Sequence, residues 1–75
     1  MYYNVLSSNA IYEKLESLKT DLEDLMNEEE EYRDNMPENL QGSERYEKAD
    51  TACDNLQSAI DSMDEALEYL SEAKN

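Results

Sequence analysis

The fold is decided by residues 43–75, which read SERYEKADTACDNLQSAIDSMDEALEYLSEAKN. Apolar side chains recur there at alternating spacings of three and four residues, which is the pattern of a helix that buries one face against another helix. Heptad positions a and d are filled by Tyr46, Ala49, Cys53, Leu56, Ile60, Met63, Leu67 and Leu70. Four successive g positions on the flank hold alanines, namely Ala52, Ala59, Ala66 and Ala73. We therefore predict a helix over about residues 43–74 with one wide apolar face.

The first half of the chain carries the same kind of pattern. Its apolar residues are spaced four and three apart, at Ile11, Leu15, Leu18, Leu22 and Leu25. This spacing predicts a helix over about residues 9–35, with Ser7, Ser8 or Asn9 as its N-cap and Asn4 as the earliest possible start. The same phase places Glu29 on the apolar seam. Either the packing opens at Glu29, or Glu29 pairs with Arg33 one turn later.

The break between the helices is the segment DNMPENLQGS at residues 34–43. Pro37 disfavours helix at the residue before it and suits the first position of a new turn. We predict a loop at residues 36–42 that contains a short helical turn, with Leu40 tucked onto the end of the bundle. Gly42 is expected to end that turn in the left-handed conformation, and Ser43 to cap the second helix.

A connection this short makes the two helices antiparallel neighbours. We predict an all-α fold, in which residues 1–75 form a single antiparallel two-helix hairpin with coiled-coil packing. Each apolar face is wider than one seam requires, so one flank would remain open, and we expect a second copy to close it as a four-helix bundle or a partner to dock there. The predicted seam comprises Ile11, Leu15, Leu18, Leu22, Leu25, Leu56, Ile60, Met63, Leu67 and Leu70.

Two smaller features carry open interpretations. The N-terminal residues Tyr2, Tyr3, Val5 and Leu6 lie off the seam, and they form either a frayed end or hook, or an apolar handle for a partner. The lone Cys53 occupies a seam position, where we predict a small buried hydrophobe.

The charge and composition limit the possible functions. The chain carries 20 acidic and 6 basic residues, a formal charge of −14. Such a chain repels nucleic acid and anionic membranes, so its expected partners are basic protein surfaces. With no His and one Gly, it lacks the residues for a nucleophile–base pair, a Cys/His zinc site or a phosphate-binding loop. We predict no enzymatic activity, no cofactor, no metal site and, without a secretory signal or membrane-length apolar run, a cytoplasmic location.

The remaining candidate for function is a surface of carboxylates. On the second helix, position b carries an acid at every heptad, and further acids at e and f lie beside this row. One interpretation is that these acids only keep a coiled coil soluble. The other is a functional acidic face, which is favoured because like charges and Asp residues both weaken a helix. The predicted partner-binding residues are Glu47, Asp50, Asp54, Asp61, Asp64, Glu65, Glu68 and Glu72, with Glu28 and Glu31 from the first helix.

The loop sequence DNMPENLQGSERY at residues 34–46 follows a Glu-rich helix end. This arrangement resembles small acidic helical-hairpin proteins of bacteriophages and related mobile elements, over about residues 15–73. Those proteins have no established activity, so the resemblance implies a setting in a host bacterial cytoplasm. By analogy it favours an inhibitor, of anti-CRISPR type, that occupies a basic surface of a host nucleic-acid-binding protein or nuclease complex. The alternatives are a structural four-helix-bundle dimer and an acidic antitoxin-like partner of a basic protein.

Overall fold

The computed structural model describes residues 5–74, and the side chains of residues 9–73. Helix α1 spans Val5–Asp34, a 3₁₀ turn spans Glu38–Leu40, and helix α2 spans Glu44–Lys74. The two helices pack against each other along their lengths in a rod of 59 × 14 × 14 Å. The predicted all-α hairpin is confirmed.

Helix α1 begins earlier than residue 9. It already includes Val5, so Ser7, Ser8 and Asn9 lie inside the helix and none of them is its N-cap, whereas this start agrees with the earliest one predicted, near Asn4. Serine and asparagine are only weak helix breakers, and no Gly or Pro precedes Pro37 to stop the helix. The predicted apolar handle or hook comprises Tyr2, Tyr3, Val5 and Leu6: Val5 and Leu6 belong to α1, and Tyr2 and Tyr3 lie outside the described residues.

The turn forms where Pro37 predicts it. The Leu40 N–H donates to the Pro37 carbonyl at 2.9 Å, and the Gln41 N–H donates to the Glu38 carbonyl at 3.2 Å. Leu40 remains 40% exposed, so the expectation that it covers the bundle end is wrong. Met36 is buried instead, at the heptad position that it shares with Leu15 and Leu22 of α1.

The start of α2 matches one expectation and corrects another. The Tyr46 N–H donates to the Ser43 Oγ at 3.3 Å, which confirms Ser43 as the N-cap. Gly42, however, does not adopt a positive φ. Because the turn is closed by 3₁₀ hydrogen bonds, including that from the Ser43 N–H to the Leu40 carbonyl at 3.0 Å, the chain reaches α2 without a left-handed residue.

The conformation of Gly42 leads to a prediction about stability. A Cβ placed at Gly42 would meet no atom within 4 Å. Gly42→Ala should therefore raise the free energy of unfolding by about 0.4–1 kcal/mol, because alanine restricts the unfolded chain more than glycine does. Urea denaturation followed by circular dichroism measures this change. A clear loss of stability would mean that the turn requires glycine after all.

The core confirms the predicted seam of α2. Within the described residues, the buried apolar side chains are Met36, Ala49, Cys53, Ile60 and Leu67. All but Met36 come from α2 positions a and d, and the remaining seam residues, Leu56, Met63 and Leu70, are half-buried. The core is therefore thin and is built mainly around one face of α2.

The predicted seam of α1 is only half correct. Leu15 and Leu22 are half-buried, but Ile11, Leu18 and Leu25 are 54%, 55% and 45% exposed. The helix is rotated so that its other half-buried column is the e column, Tyr12, Lys19, Met26 and Arg33. Lys19 and Arg33 of this column form ion pairs with acids of α2. These pairs favour a rotation of α1 that turns the e column toward α2 and the d column, with Leu18 and Leu25, outward.

Cys53 provides a test of the core. Its side chain is buried, and this burial raises the pKa of the thiol. Because only the thiolate reacts, we expect a maleimide to label folded Cys53 at least about 100-fold more slowly than the urea-unfolded chain. A Cys53→Ala, Ser58→Cys variant is the matched control, since Ser58 is exposed on the same helix and should react rapidly. Equal rates at the two positions would contradict the buried seam.

Candidate functional site

The register of the hairpin is fixed by two ion pairs. Lys19 pairs with Asp64, and the Arg33 Nη1 donates to the Asp50 Oδ1 at 2.9 Å. These contacts are two heptads apart on both helices, so the antiparallel register is maintained along the rod. The same register sets the e column of α1 beside the e column of α2. We call this side the ion-paired flank, which consists of Tyr12, Lys19, Met26, Arg33, Asp50, Gln57, Asp64 and Ser71.

The cations of the ion-paired flank are firmly charged. Arg33 also bonds to Asp34, and its hydrogen bonds to Asp34 and Asp50 raise the pKa of the guanidinium. The hydrogen bond to Asp64 likewise raises the pKa of the Lys19 ammonium. Asp50 and Asp64 therefore each have a cation as partner within the chain, while about half of each side chain stays exposed. The alternative pairing of Glu29 with Arg33 is not found, because Arg33 pairs with Asp34 and Asp50 instead.

Two rows of acids border the ion-paired flank. On α2 the b column is exposed as predicted, and Glu68 lines the same shallow hollow as Glu16 of α1. Glu16 belongs to a matching b column on α1, which the sequence analysis missed. Each row repeats every seven residues, roughly 10.5 Å along its helix. The acidic rows are Glu16, Glu23 and Glu30 on α1, and Glu47, Asp54, Asp61 and Glu68 on α2.

No ion pair among residues 9–73 involves an acid of the rows, although the pKa of Lys19, raised first by its hydrogen bond to Asp64, is raised further by the charges of Glu23 and Glu16. The ion pairs of this part of the chain use Lys19, Arg33 and Lys48. Asp61 accepts a hydrogen bond from Gln57 at 3.0 Å, which holds one carboxylate in place along the row. The rows thus combine a fixed spacing with negative charge that no ion pair of the described residues neutralises.

The other predicted acids are placed differently. Glu65 and Glu72 are exposed on the back of α2, next to the row. Glu28 and Glu31 are exposed too, but their heptad positions turn them away from the ion-paired flank. Tyr69 is 71% exposed on the opposite border of α2. Glu28 and Glu31 are therefore not part of one continuous acidic face with the rows, whereas Glu30 between them belongs to the α1 row.

The opposite side of the hairpin is apolar and open. Tyr32 of α1 lines a hollow of about 600 Å³ together with Ala49 and Ala52 of α2, and the charged residues Glu29, Glu44, Arg45 and Lys48 complete its lining near the turn. The d column of α1 therefore lies beside the g column of α2. We call this side the apolar flank, which consists of Ile11, Leu18, Leu25, Tyr32, Ala52, Ala59, Ala66 and Ala73.

Three further observations concern the chemistry of the site. Among residues 9–73, no three Cys, Asp or Glu side chains are arranged to hold a metal ion. Within the described part of the chain, neither helix has an apolar stretch long enough to cross a bilayer. The chain matches no protein-family model, no curated protein and no solved structure.

Proposed function

We propose that the hairpin is a non-enzymatic binding module that docks its acidic rows onto a basic surface of another protein. The observation that carries this proposal is the pair of rows in register on the two helices, whose acids form no ion pair within the described residues. Exposed like charges at fixed spacing cost folding stability, so their retention on one side favours a use in binding. Rim charges of this kind mainly set the association rate and the choice of partner.

The spacing of the rows indicates the kind of surface they fit. The row acids, taken together over the roughly 32 Å from Glu47 to Glu68, supply about one charge per 4–5 Å of rod. Duplex DNA presents about one charge per 1.7 Å of axis. The hairpin is therefore a sparse competitor for a groove that holds nucleic acid, with carboxylates placed to meet cations about one heptad apart.

The proposed biological setting follows from the loop at residues 34–46. Its resemblance to acidic phage proteins supports a phage-encoded inhibitor acting in a bacterial cytoplasm. The proposed target class is a host nucleic-acid-binding protein, such as an immune nuclease complex, whose basic groove the rows would occupy. Binding to such a groove would exclude the nucleic acid by direct competition.

The test compares two variants that lose the same amount of charge. The row variant carries Glu47→Gln, Asp54→Asn, Asp61→Asn and Glu68→Gln. The control variant carries Asp21→Asn, Asp24→Asn, Glu28→Gln and Glu31→Gln, which change exposed acids pointing away from the ion-paired flank. Each full-length variant is immobilised, exposed to bacterial lysate, and the captured proteins are quantified by mass spectrometry, with circular dichroism to verify folding.

We expect the row variant to lose at least about tenfold of its captured nucleic-acid-binding protein, because each lost charge contact contributes a few tenths of a kcal/mol or more. The control variant should retain capture. Equal capture by both variants, or greater loss in the control, would remove the proposal.

A further inference from the structure

We propose that the apolar flank is the interface with a second copy of the chain, in which α1 of each copy rests against the alanine column of the other copy's α2. The inference does not rest on the proposed function, because the apolar flank and the acidic rows lie on opposite sides of the hairpin. It instead concerns how the molecule completes its core.

The apolar flank is complementary in shape to the same flank of a second copy. The register of the ion pairs places each large d side chain of α1 level with an alanine of α2. A two-fold operation that brings α1 of one copy over α2 of the other therefore sets every large side chain against a small one, as in the packing of antiparallel helix bundles. The level pairs are Ile11 with Ala73, Leu18 with Ala66, Leu25 with Ala59, and Tyr32 with Ala52.

The distribution of acids over the surface of α2 also favours contact at the apolar flank. Two copies that each carry −14 repel one another wherever their acids meet. Along α2, the alanine column and the c column beside it contain no acid at all. That c column consists of Lys48, Asn55, Ser62 and Tyr69. In a chain with 20 acids, this acid-free strip is a surface that a second copy can approach.

The apolar flank is also large enough for a stable interface between two copies. One side of a rod of 59 × 14 Å offers on the order of 800 Å², which is about what each partner buries in a standard protein interface. The exposed side chains of Ile11, Leu18, Leu25 and Tyr32, each 45–55% exposed, form its centre. A chain of this length with a thin core commonly gains its missing burial from oligomerisation.

The arrangement has a defined geometry. The two-fold axis runs along the rod, so every helix has antiparallel neighbours and both turns lie at the same end. The acidic rows of the two copies then face outward on opposite sides of the four-helix bundle. If the proposed function holds, the dimer presents two equivalent docking faces.

The test exchanges large and small side chains between copies. The ridge variant carries Leu18→Ala and Leu25→Ala, and the channel variant carries Ala59→Leu and Ala66→Leu. In each variant alone the interface is mismatched, small against small or large against large. In the mixture, each ridge again meets a channel of the complementary size, so a heterodimer should form. All acidic rows remain intact in both variants.

Sedimentation equilibrium of the full chain at about 50 μM gives the readout. We expect the wild type at twice the chain mass of 8.7 kDa, each variant shifted at least about tenfold toward monomer, and the equimolar mixture restored to dimer. A monomeric wild type would overturn the proposal, and so would variants that dimerise as well as the wild type or a mixture that gains nothing. Circular dichroism of the channel variant, whose leucines are good helix formers, verifies that lost association is not lost folding.

Discussion

Leu67→Ala is expected to lower the free energy of unfolding by about 2–4 kcal/mol, the cost of removing a buried leucine and leaving a cavity. Leu67 is 8% exposed and belongs to the few buried side chains of a thin core. Small domains have a low free energy of unfolding, so the variant should be largely unfolded near room temperature. Little of the cooperative thermal transition should then remain. Thermal and urea unfolding followed by circular dichroism would measure it.

Leu40→Ala is the matched control, because it makes the same chemical change at a side chain that is 40% exposed in the turn. We expect it to cost less than about 1 kcal/mol. Similar losses at the two positions would show that the core is not centred on α2. A larger loss at Leu40 would restore the sequence-based expectation that this side chain covers the bundle end.

Salt should stabilise this protein. Raising NaCl from about 0.01 M to 1 M shortens the Debye length from about 30 Å to 3 Å, which screens the repulsion within a chain of net charge −14. The few exposed ion pairs lose strength as well, but they are far outnumbered by the unpaired acids. We expect the melting temperature to rise by about 5–10 °C at fixed protein concentration, a gain of roughly 1–2 kcal/mol for a domain of this size.

The row variant serves as the control for the salt effect. With Glu47, Asp54, Asp61 and Glu68 neutralised, it should melt higher than the wild type at low salt and gain less from added NaCl. A melting temperature that falls with salt would mean that the Lys19–Asp64 and Arg33–Asp50 pairs dominate the electrostatics. In that case the acidic rows would carry no stability cost, and the argument for their use in binding would be weakened.

The pattern of the sequence was sufficient for the hairpin itself. Alternating spacings of three and four residues identify both helices, Pro37 marks the turn, and Ser43 is recognisable as a cap because serine accepts a backbone N–H there. The start of α1 was misjudged because cap-forming residues such as Ser7 are also tolerated inside helices. Gly42 was misjudged because glycine permits a positive φ without requiring one.

The rotation of α1 was not predicted, and it determines both surfaces. A heptad pattern ranks Leu18 above Lys19 for burial, because it scores each side chain alone. The structure instead half-buries Lys19 and Arg33, whose partners Asp64 and Asp50 lie on the other helix, and exposes Leu18. Such a pairing depends on the register between helices, which one helix's sequence does not contain.

The candidate site, like the fold, could be predicted only in part from the sequence. The α2 row follows from its heptad alone, and the structure leaves all its members exposed. The α1 row, Glu16, Glu23 and Glu30, has the same periodicity, but it becomes a neighbour of the α2 row only once α1 is rotated. The ion pairs of Asp50 and Asp64 could not be predicted from the sequence of α2, because their cations, Arg33 and Lys19, come from the other helix.

Both surfaces therefore depend on how α1 is seated, and cross-linking within one chain tests this most directly. Two variants are compared in a Cys53→Ala background, and both carry Ala59→Cys. The first adds Leu25→Cys and the second adds Glu28→Cys. Each is treated with a short bis-maleimide at about 1 μM protein. The account predicts efficient intrachain linkage for the first pair, which shares the apolar flank, and little for the second. Preferred linkage through Glu28→Cys would place Leu25 in the seam and contradict the account.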